Sequence, residues 1–133
     1  MLWLNTDAAV DQARHLTGIG FYLTDDSHKI QIEQRQQIDF CDNHQAEWQA
    51  ALWALTYLAD HDLLTTNTIV LQTDSQLLVD SFDKRYSKHY GAQLAALLAL
   101  TDQAPLFFVK KVGDHHNRAA HQLARAAIYQ NDD

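Results

Sequence analysis

Three acidic residues at separate places in the chain have the clearest capacity for chemistry. Asp7 and Asp74 each end a short apolar, strand-like segment, and Glu47 lies in the first turns of a long apolar helix. Carboxylates that are brought together repel one another, and a protein tolerates that repulsion where a cation binds. Such oxygen ligands favour Mg²⁺ or Mn²⁺, and sites of this type are typical of two-metal phosphoryl transfer. The three acids therefore predict a divalent-metal site if the fold brings them together.

The elements that must position these acids follow from hydrophobic periodicity, which predicts the order β-β-β-α-β-α-α-β-α. The predicted strands are residues 2–7, Thr17–Thr24, Lys29–Gln37, Ile69–Leu71 and Leu106–Val112. The predicted helices are Asn43 to about Asp60, Ser75 to about Asp83, residues 91–103, and Asn117–Gln130. Strands that alternate with helices imply a partly parallel α/β sheet, with an antiparallel hairpin at one edge. Asp74 is then expected at the carboxyl end of its strand, where open α/β sheets place their sites.

Local signals support this arrangement. Asp42 is a predicted N-cap with Gln45 as its capping-box partner, and the polar cluster Asp25–His28 is a predicted hairpin turn. Glu47 begins a helical stripe that otherwise faces the core, namely Ala51, Ala54 and Leu58. One face of the third strand is predicted to be exposed to solvent, namely Gln31, Glu33, Arg35 and Gln37.

Composition bounds the class of protein. The 133 residues are 47% apolar with one Pro and four Gly, which favours a single globular domain over residues 1–133. No apolar run reaches the roughly 20 residues that span a bilayer, and no signal peptide is visible, so we expect no membrane association. The single cysteine, Cys41, favours a reducing, cytoplasmic location and is interpreted as an inert thiol. The net charge of −7 argues against tight binding of a polyanion by charge alone, but not against catalysis on one.

Four segments, in order along nearly the whole chain, share a pattern with a known family. They are Asn5–Asp7 followed by Gly18–Gly20, Asn43–Glu47 followed by Ala50–Ala51, Leu71–Gln76 with its Thr-Asp-Ser sequence, and Asn117–Arg125. In these segments the chain resembles type I ribonuclease H. Its compact tail resembles the short-loop, reverse-transcriptase-like branch of that family.

The resemblance implies a five-stranded mixed sheet in the order 3-2-1-4-5, flanked by helices. It implies an endonuclease that hydrolyses the RNA strand of RNA/DNA hybrids with two Mg²⁺ or Mn²⁺ ions and produces 5′-phosphomonoesters and 3′-hydroxyls. The implied catalytic and metal-binding residues are Asp7, Glu47, Asp74 and His121, with His121 in the place of the family's fourth acid. Because imidazole suits Mn²⁺ better than Mg²⁺, we expect a preference for Mn²⁺.

Substrate binding is predicted to be weak and sensitive to salt. Asn43 and Gln76 match family positions that face the minor groove, where 2′-hydroxyls distinguish RNA from DNA. The extended basic protrusion of some members is missing, which leaves Lys84, Arg85 and Lys88 as a candidate patch for the nucleic-acid backbone. The same basic segment could equally be a solvated connector between helices.

Other interpretations stay open at this point. Asp7 alone could be a turn residue, Glu47 a helix acid favoured by the helix dipole, and Asp74 an N-cap. His121 could be an ordinary helix histidine. The histidines before the last helix could be solvated, could assist product release, or could form a zinc site with His121; these are His115 and His116. The alternative function is a ribonuclease-H-fold binding or scaffold module that has lost hydrolysis.

Overall fold

The computed structural model describes residues 1–129, with five strands, four α-helices and one short 3₁₀ turn. The strands are β1 (Leu2–Asp11), β2 (Leu16–Asp25), β3 (Gln31–Ile38), β4 (Thr68–Thr73) and β5 (Leu106–Lys111). The helices are α1 (Asn43–Asp60), α2 (Gln76–Lys84), α3 (Gly91–Thr101) and α4 (Arg118–Ile128), and the 3₁₀ turn is Asp114–His116. The predicted order of elements is confirmed. The predicted end of the last helix, Gln130, lies outside the described residues.

One sheet contains all five strands in the order β3-β2-β1-β4-β5, as predicted. β1 pairs with β2, and β2 with β3, in antiparallel fashion. β1 pairs with β4, and β4 with β5, in parallel fashion. The sheet is therefore antiparallel on one side of β1 and parallel on the other, and β1 lies at its centre.

The main core lies between α1, α2, α3 and one face of the sheet. The stripe that begins at Glu47 is buried, and Trp48 is only 1% exposed. Trp53 packs edge-to-face on Phe21 with ring centroids 4.9 Å apart. Because successive side chains of a strand point to opposite faces, the alternate residues of β1 and β2 face α4 on the other side.

Two glycines allow α4 to approach the sheet closely. A Cβ atom on Gly18 would overlap the backbone of Ala124, and one on Gly20 would lie 2.6 Å from the Cβ of Leu123. Gly20 is also the β2 residue that pairs with Asp7. The first turns of α4 are thus held directly over the central strand at the position of a predicted catalytic acid.

Two predictions about the strands are corrected. β1 does not end at Asp7 but continues to Asp11, because β2 pairs with it along its whole length. The face of β3 that was predicted to be exposed is exposed at Gln31, Glu33 and Arg35, but Gln37 is partly covered, because its side chain donates to the carbonyl of Ile128 at 3.0 Å. Within residues 1–129, no helix is long and apolar enough to span a bilayer.

The predicted N-cap at Asp42 and the predicted β2–β3 turn are observed, whereas the return bond from the Gln45 side chain that would complete a capping box is not found in residues 1–129. The carboxylate of Asp42 accepts from the backbone N–H of Gln45 at 2.8 Å and caps α1. In the β2–β3 turn, the N–H of His28 donates to the carbonyl of Asp25 at 3.1 Å. The cap at Asp42 fixes where α1 begins, and therefore which residues of α1 reach the sheet.

Candidate active site

The fold brings the three predicted acids together near the middle of the sheet, where β4 ends beside β1. Asp7 lies in β1, two residues beyond Asn5, which is the last β1 residue paired with β4. Asp74 directly follows β4, and Glu47 projects from the second turn of α1. One carboxylate oxygen from each acid lies within 4.8 Å of those of the other two. No other group of at least three His, Cys, Asp or Glu residues meets this criterion within residues 1–129.

Glu47 is the most perturbed of the three acids. Its side chain is 3% exposed, and one carboxylate oxygen, Oε2, is buried without a hydrogen-bond partner. Burial, followed by the charges of Asp7 and Asp74, raises its pKa to about 10. If the carboxylate is charged, its Oε2 lacks a hydrogen-bond partner in this buried place, and a divalent cation would compensate the charge.

Asp74 has the same type of perturbation. Burial, then the charges of Asp7 and Asp114, raises its pKa, whereas His121 opposes the shift. The N-cap of α2 is Ser75, whose hydroxyl accepts from the N–H of Leu78 at 3.2 Å. Asp74 is therefore not the N-cap, and its carboxylate remains available to a ligand.

His121 contacts the cluster through Asp7. Its Nδ1 lies 2.9 Å from Oδ2 of Asp7, which is 2% exposed. The imidazole itself is half-exposed. Among the described residues, His121 is not part of the group formed by the three acids. Its role as a metal ligand stays a prediction, and the contact that the structure shows is a hydrogen bond to one of the acids.

A cavity of about 530 Å³ opens above the acids. Asn43 and Gln76, the residues predicted to face the minor groove, both line it. The side chain of Gln76 also donates to Asp80 at 2.8 Å, which orients its amide. A single open cavity thus contains the acids, His121 and both predicted groove-facing residues.

The comparisons with known proteins agree with this geometry. The family model described as reverse transcriptase-like matches residues 5–127. The chain belongs to this family. A protein of Enterococcus faecalis named "Putative hydrolase EbsB" is 31% identical over 132 residues, which cover 96% of this chain and 94% of that protein.

Solved structures establish the fold of this reverse-transcriptase-like protein as that of ribonuclease H. RNase H1 from the halophilic archaeon Halobacterium salinarum NRC-1 matches with a TM-score of 0.84 and 22% identity, over 96% of this chain and 97% of that chain. LC11-RNase H1, solved in complex with an RNA/DNA hybrid, matches with a TM-score of 0.83 and 21% identity over 97% of each chain. The resemblance stated from the sequence is confirmed for the family and the fold.

The three predicted basic residues of this reverse-transcriptase-like protein do not all line one surface depression. Lys84 and Lys88 line a second depression, which we call the basic groove. The basic groove shares His44 and Leu77 with the cavity above the acids, so the two are adjacent. Arg85 lines neither, and its guanidinium instead forms an ion pair with Asp102 at 2.9 Å.

The cavity contains three charged or titratable residues that the sequence analysis did not assign to the site. Asp114 comes from the 3₁₀ turn, Arg118 from the start of α4, and His44 from the start of α1. A guanidinium N–H of Arg118 lies 3.2 Å from Nδ1 of His115, which also lines the cavity. Only their proximity in sequence could have indicated these three residues. Each lies within four residues of a predicted site residue or of the loop histidines His115 and His116.

The alternative zinc site of three histidines is not observed in residues 1–129, because His115, His116 and His121 do not form a group there. Cys41 is half-buried, and burial raises the pKa of its thiol, which agrees with an unreactive role. The arrangement suited to chemistry is therefore the group of three carboxylates, whose oxygen donors fit a hard divalent cation.

Proposed function

We propose that this protein is a metal-dependent endonuclease that hydrolyses the RNA strand of RNA/DNA hybrids and leaves 5′-phosphomonoesters. The proposal rests above all on Oε2 of Glu47, a buried carboxylate oxygen without a partner that lies among two further carboxylates. Clustering three acids, two of them buried, destabilises a fold unless a cation compensates their charges. The ribonuclease H fold and the hybrid-bound structure of LC11-RNase H1 support the same substrate class.

In this proposal Asp7, Glu47 and Asp74 hold two Mg²⁺ or Mn²⁺ ions, and His121 completes the set. When bound, divalent ions supply an activated water and stabilise the leaving oxygen of a phosphodiester. The protein contributes the position of the acids on buried β1, α1 and the end of β4, so little reorganisation is required at the moment of reaction. The raised pKa of Glu47, about 10, means that metal binding displaces its proton.

The remaining cavity residues are assigned to the substrate. Asn43 and Gln76 contact the minor groove and select for 2′-hydroxyls. Lys84 and Lys88 contact phosphates along the basic groove, and the guanidinium of Arg118 offers a further phosphate contact at the cavity. With so few cations and a net charge of −7, binding is weak, and the phosphate contacts that these cations make render it sensitive to salt.

The test is a cleavage assay with end-labelled RNA/DNA, RNA/RNA and DNA/DNA duplexes in the presence of Mg²⁺ or Mn²⁺. We expect cleavage of the RNA strand of the hybrid alone, with a faster rate in Mn²⁺. Cleavage products that end in a 3′-phosphate, or cleavage that survives chelation of the metal, would contradict the proposal. Equal rates with the two metals would remove the argument for His121 as a metal ligand.

A second candidate function is a binding or scaffold module that lacks hydrolysis. The acidic net charge and the imidazole at position 121 favour it. The three clustered acids, two of them buried, argue against it, because a module without a metal gains nothing from their repulsion. Hybrid binding without cleavage under either metal, together with no effect of metal on the melting temperature, would support this second function.

A further inference from the structure

Asn5 is a polar residue in the middle of the apolar central strand. It is 8% exposed, and its neighbours Leu4 and Thr6 are fully buried. Asparagine is depleted in strands, and a buried amide costs free energy unless its hydrogen bonds are made. Violations of local sequence preference tend to occur at functional or strained sites. The placement of Asn5, two residues before Asp7, therefore calls for an explanation.

The hydrogen bonds of Asn5 lead to the segment before α4. Its Nδ2 donates to the carbonyl of His116 at 2.9 Å and to Oδ1 of Asn117 at 3.1 Å. Nδ2 of Asn117, which is 2% exposed, donates in turn to the carbonyl of Thr6 at 3.0 Å. Three hydrogen bonds thus connect the central strand with a segment more than a hundred positions later in the sequence.

Asn117 does not use its side chain as helix N-caps usually do. Asparagine is among the best N-caps because its side-chain oxygen accepts from the first free N–H groups of a helix. Asn117 occupies that position in α4, yet makes no side-chain capping bond. Its amide is directed to Thr6 and Asn5 instead. The start of α4 is therefore held by its attachment to β1, not by a side-chain cap.

This attachment leads directly to the acid cluster. The carbonyl of Asn117 accepts from the N–H of His121 at 3.0 Å, which places His121 one turn into α4. From there the imidazole reaches Oδ2 of Asp7 at 2.9 Å. Asn5, Asn117, His121 and Asp7 form a closed path that begins and ends on the same strand.

We propose that Asn5 and Asn117 are positioning residues that hold His121 against Asp7, and so fix the orientation of the Asp7 carboxylate toward the metal ions. The proposal rests on the proposed function, since it assumes that Asp7 binds metal. His121 needs such support because its own side chain is half-exposed and is not enclosed by the core. Mutation of a residue that orients a metal ligand typically weakens metal binding by about 10- to 100-fold.

The experiment is a double-mutant cycle on Mn²⁺ affinity. The dissociation constant of Mn²⁺ is measured by calorimetry for the wild type, Asn5→Leu, His121→Ala and the double variant. If Asn5 acts through His121, Asn5→Leu weakens Mn²⁺ binding by about tenfold when His121 is present. In the His121→Ala background the same change has an effect of about twofold or less.

A matched control separates positioning from general loss of stability. Leu97→Ala removes a fully buried side chain from α3, on the opposite face of the sheet from α4. It is expected to lower the melting temperature without a change in Mn²⁺ affinity. Asn5→Ser, which retains a hydrogen-bond donor, serves where Asn5→Leu does not fold, and it is expected to keep part of the affinity.

The outcomes are distinguishable. An equal loss of affinity from Asn5→Leu in both backgrounds, or no loss in either, would overturn the positioning role and leave the proposed function intact. A wild-type protein that binds no Mn²⁺ would overturn the metal-dependent function, and the inference with it.

Discussion

The acid cluster and the basic groove lie side by side, but they are built differently. The three acids belong to β1, to α1 and to the end of β4, and two of them are almost fully buried. Lys84 is the last residue of α2, Lys88 lies in the connector to α3, and both are exposed. The cluster is therefore held by the core, whereas the groove depends on long side chains at the surface.

This difference predicts a separation between chemistry and binding. Groups held by a core need little ordering before reaction. Exposed lysines lose side-chain entropy on binding, and salt screens them. We therefore expect changes at the acids to reduce kcat strongly, and changes in the groove to affect KM and salt dependence more gently.

The largest effect is expected from Asp7→Asn. The change removes a charge from the metal site, and we expect a loss in cleavage rate on the order of 10³-fold. Because the repulsion with Glu47 and Asp74 is also removed, the metal-free variant should melt at a higher temperature than the wild type. Calorimetry with and without metal measures both effects. A lower melting temperature in the absence of metal would instead indicate a structural role for Asp7.

The second effect concerns pH and Glu47. Since the folded protein holds the Glu47 proton more tightly than the unfolded chain, the contribution of Glu47 to the stability of the metal-free protein is fully present below about pH 4.5 and is lost as the pH rises to about 10. The slope from one such proton is at most about 1.4 kcal/mol per pH unit. Urea unfolding of wild type and Glu47→Gln in the presence of a chelator should show a flatter dependence in the variant. Superimposable curves would refute the perturbed state of Glu47.

Saturating Mn²⁺ should oppose this pH dependence. Metal binding requires the deprotonated carboxylate, so metal affinity and the stabilisation it gives increase with pH. The same urea series with Mn²⁺ measures the effect, and Glu47→Gln provides the control because it has no proton to displace at that position.

A smaller effect is expected in the basic groove. Lys84→Ala with Lys88→Ala should raise KM several-fold and leave kcat nearly unchanged. Each lost phosphate contact should reduce the slope of log KM against log salt concentration by about 1. Hybrid cleavage over a range of salt concentrations measures it. An unchanged slope would indicate that these lysines contact no phosphate and belong to a solvated connector.

The smallest effect is expected from Arg85→Ala, which serves as the control for the groove. Arg85 pairs with Asp102 on the surface, and both side chains are more than half exposed. Loss of such a pair changes stability by about 1 kcal/mol or less. Cleavage and its salt dependence should match the wild type. A change in KM and salt dependence equal to that of the lysine variants would indicate that Arg85 contacts the substrate.

The sequence alone was informative wherever a pattern repeats over neighbouring residues. Apolar periodicity gave the order of strands and helices, and the cap at Asp42 gave the start of α1, because both depend on local backbone geometry. The acids Asp7, Glu47 and Asp74 could be identified because each has a fixed relation to such an element, and the family motifs supported the assignment.

Only the tertiary structure decided how distant residues meet. β1 extends past Asp7 because β2 pairs with it, and α4 reaches Asp7 because Gly18 and Gly20 leave room for it. Arg85 pairs with Asp102, whereas Asp114 and Arg118 line the cavity. The hydrogen bond between Asn5 and Asn117 joins positions 112 apart. No local pattern encodes such contacts, because they depend on the packing of whole elements against one another.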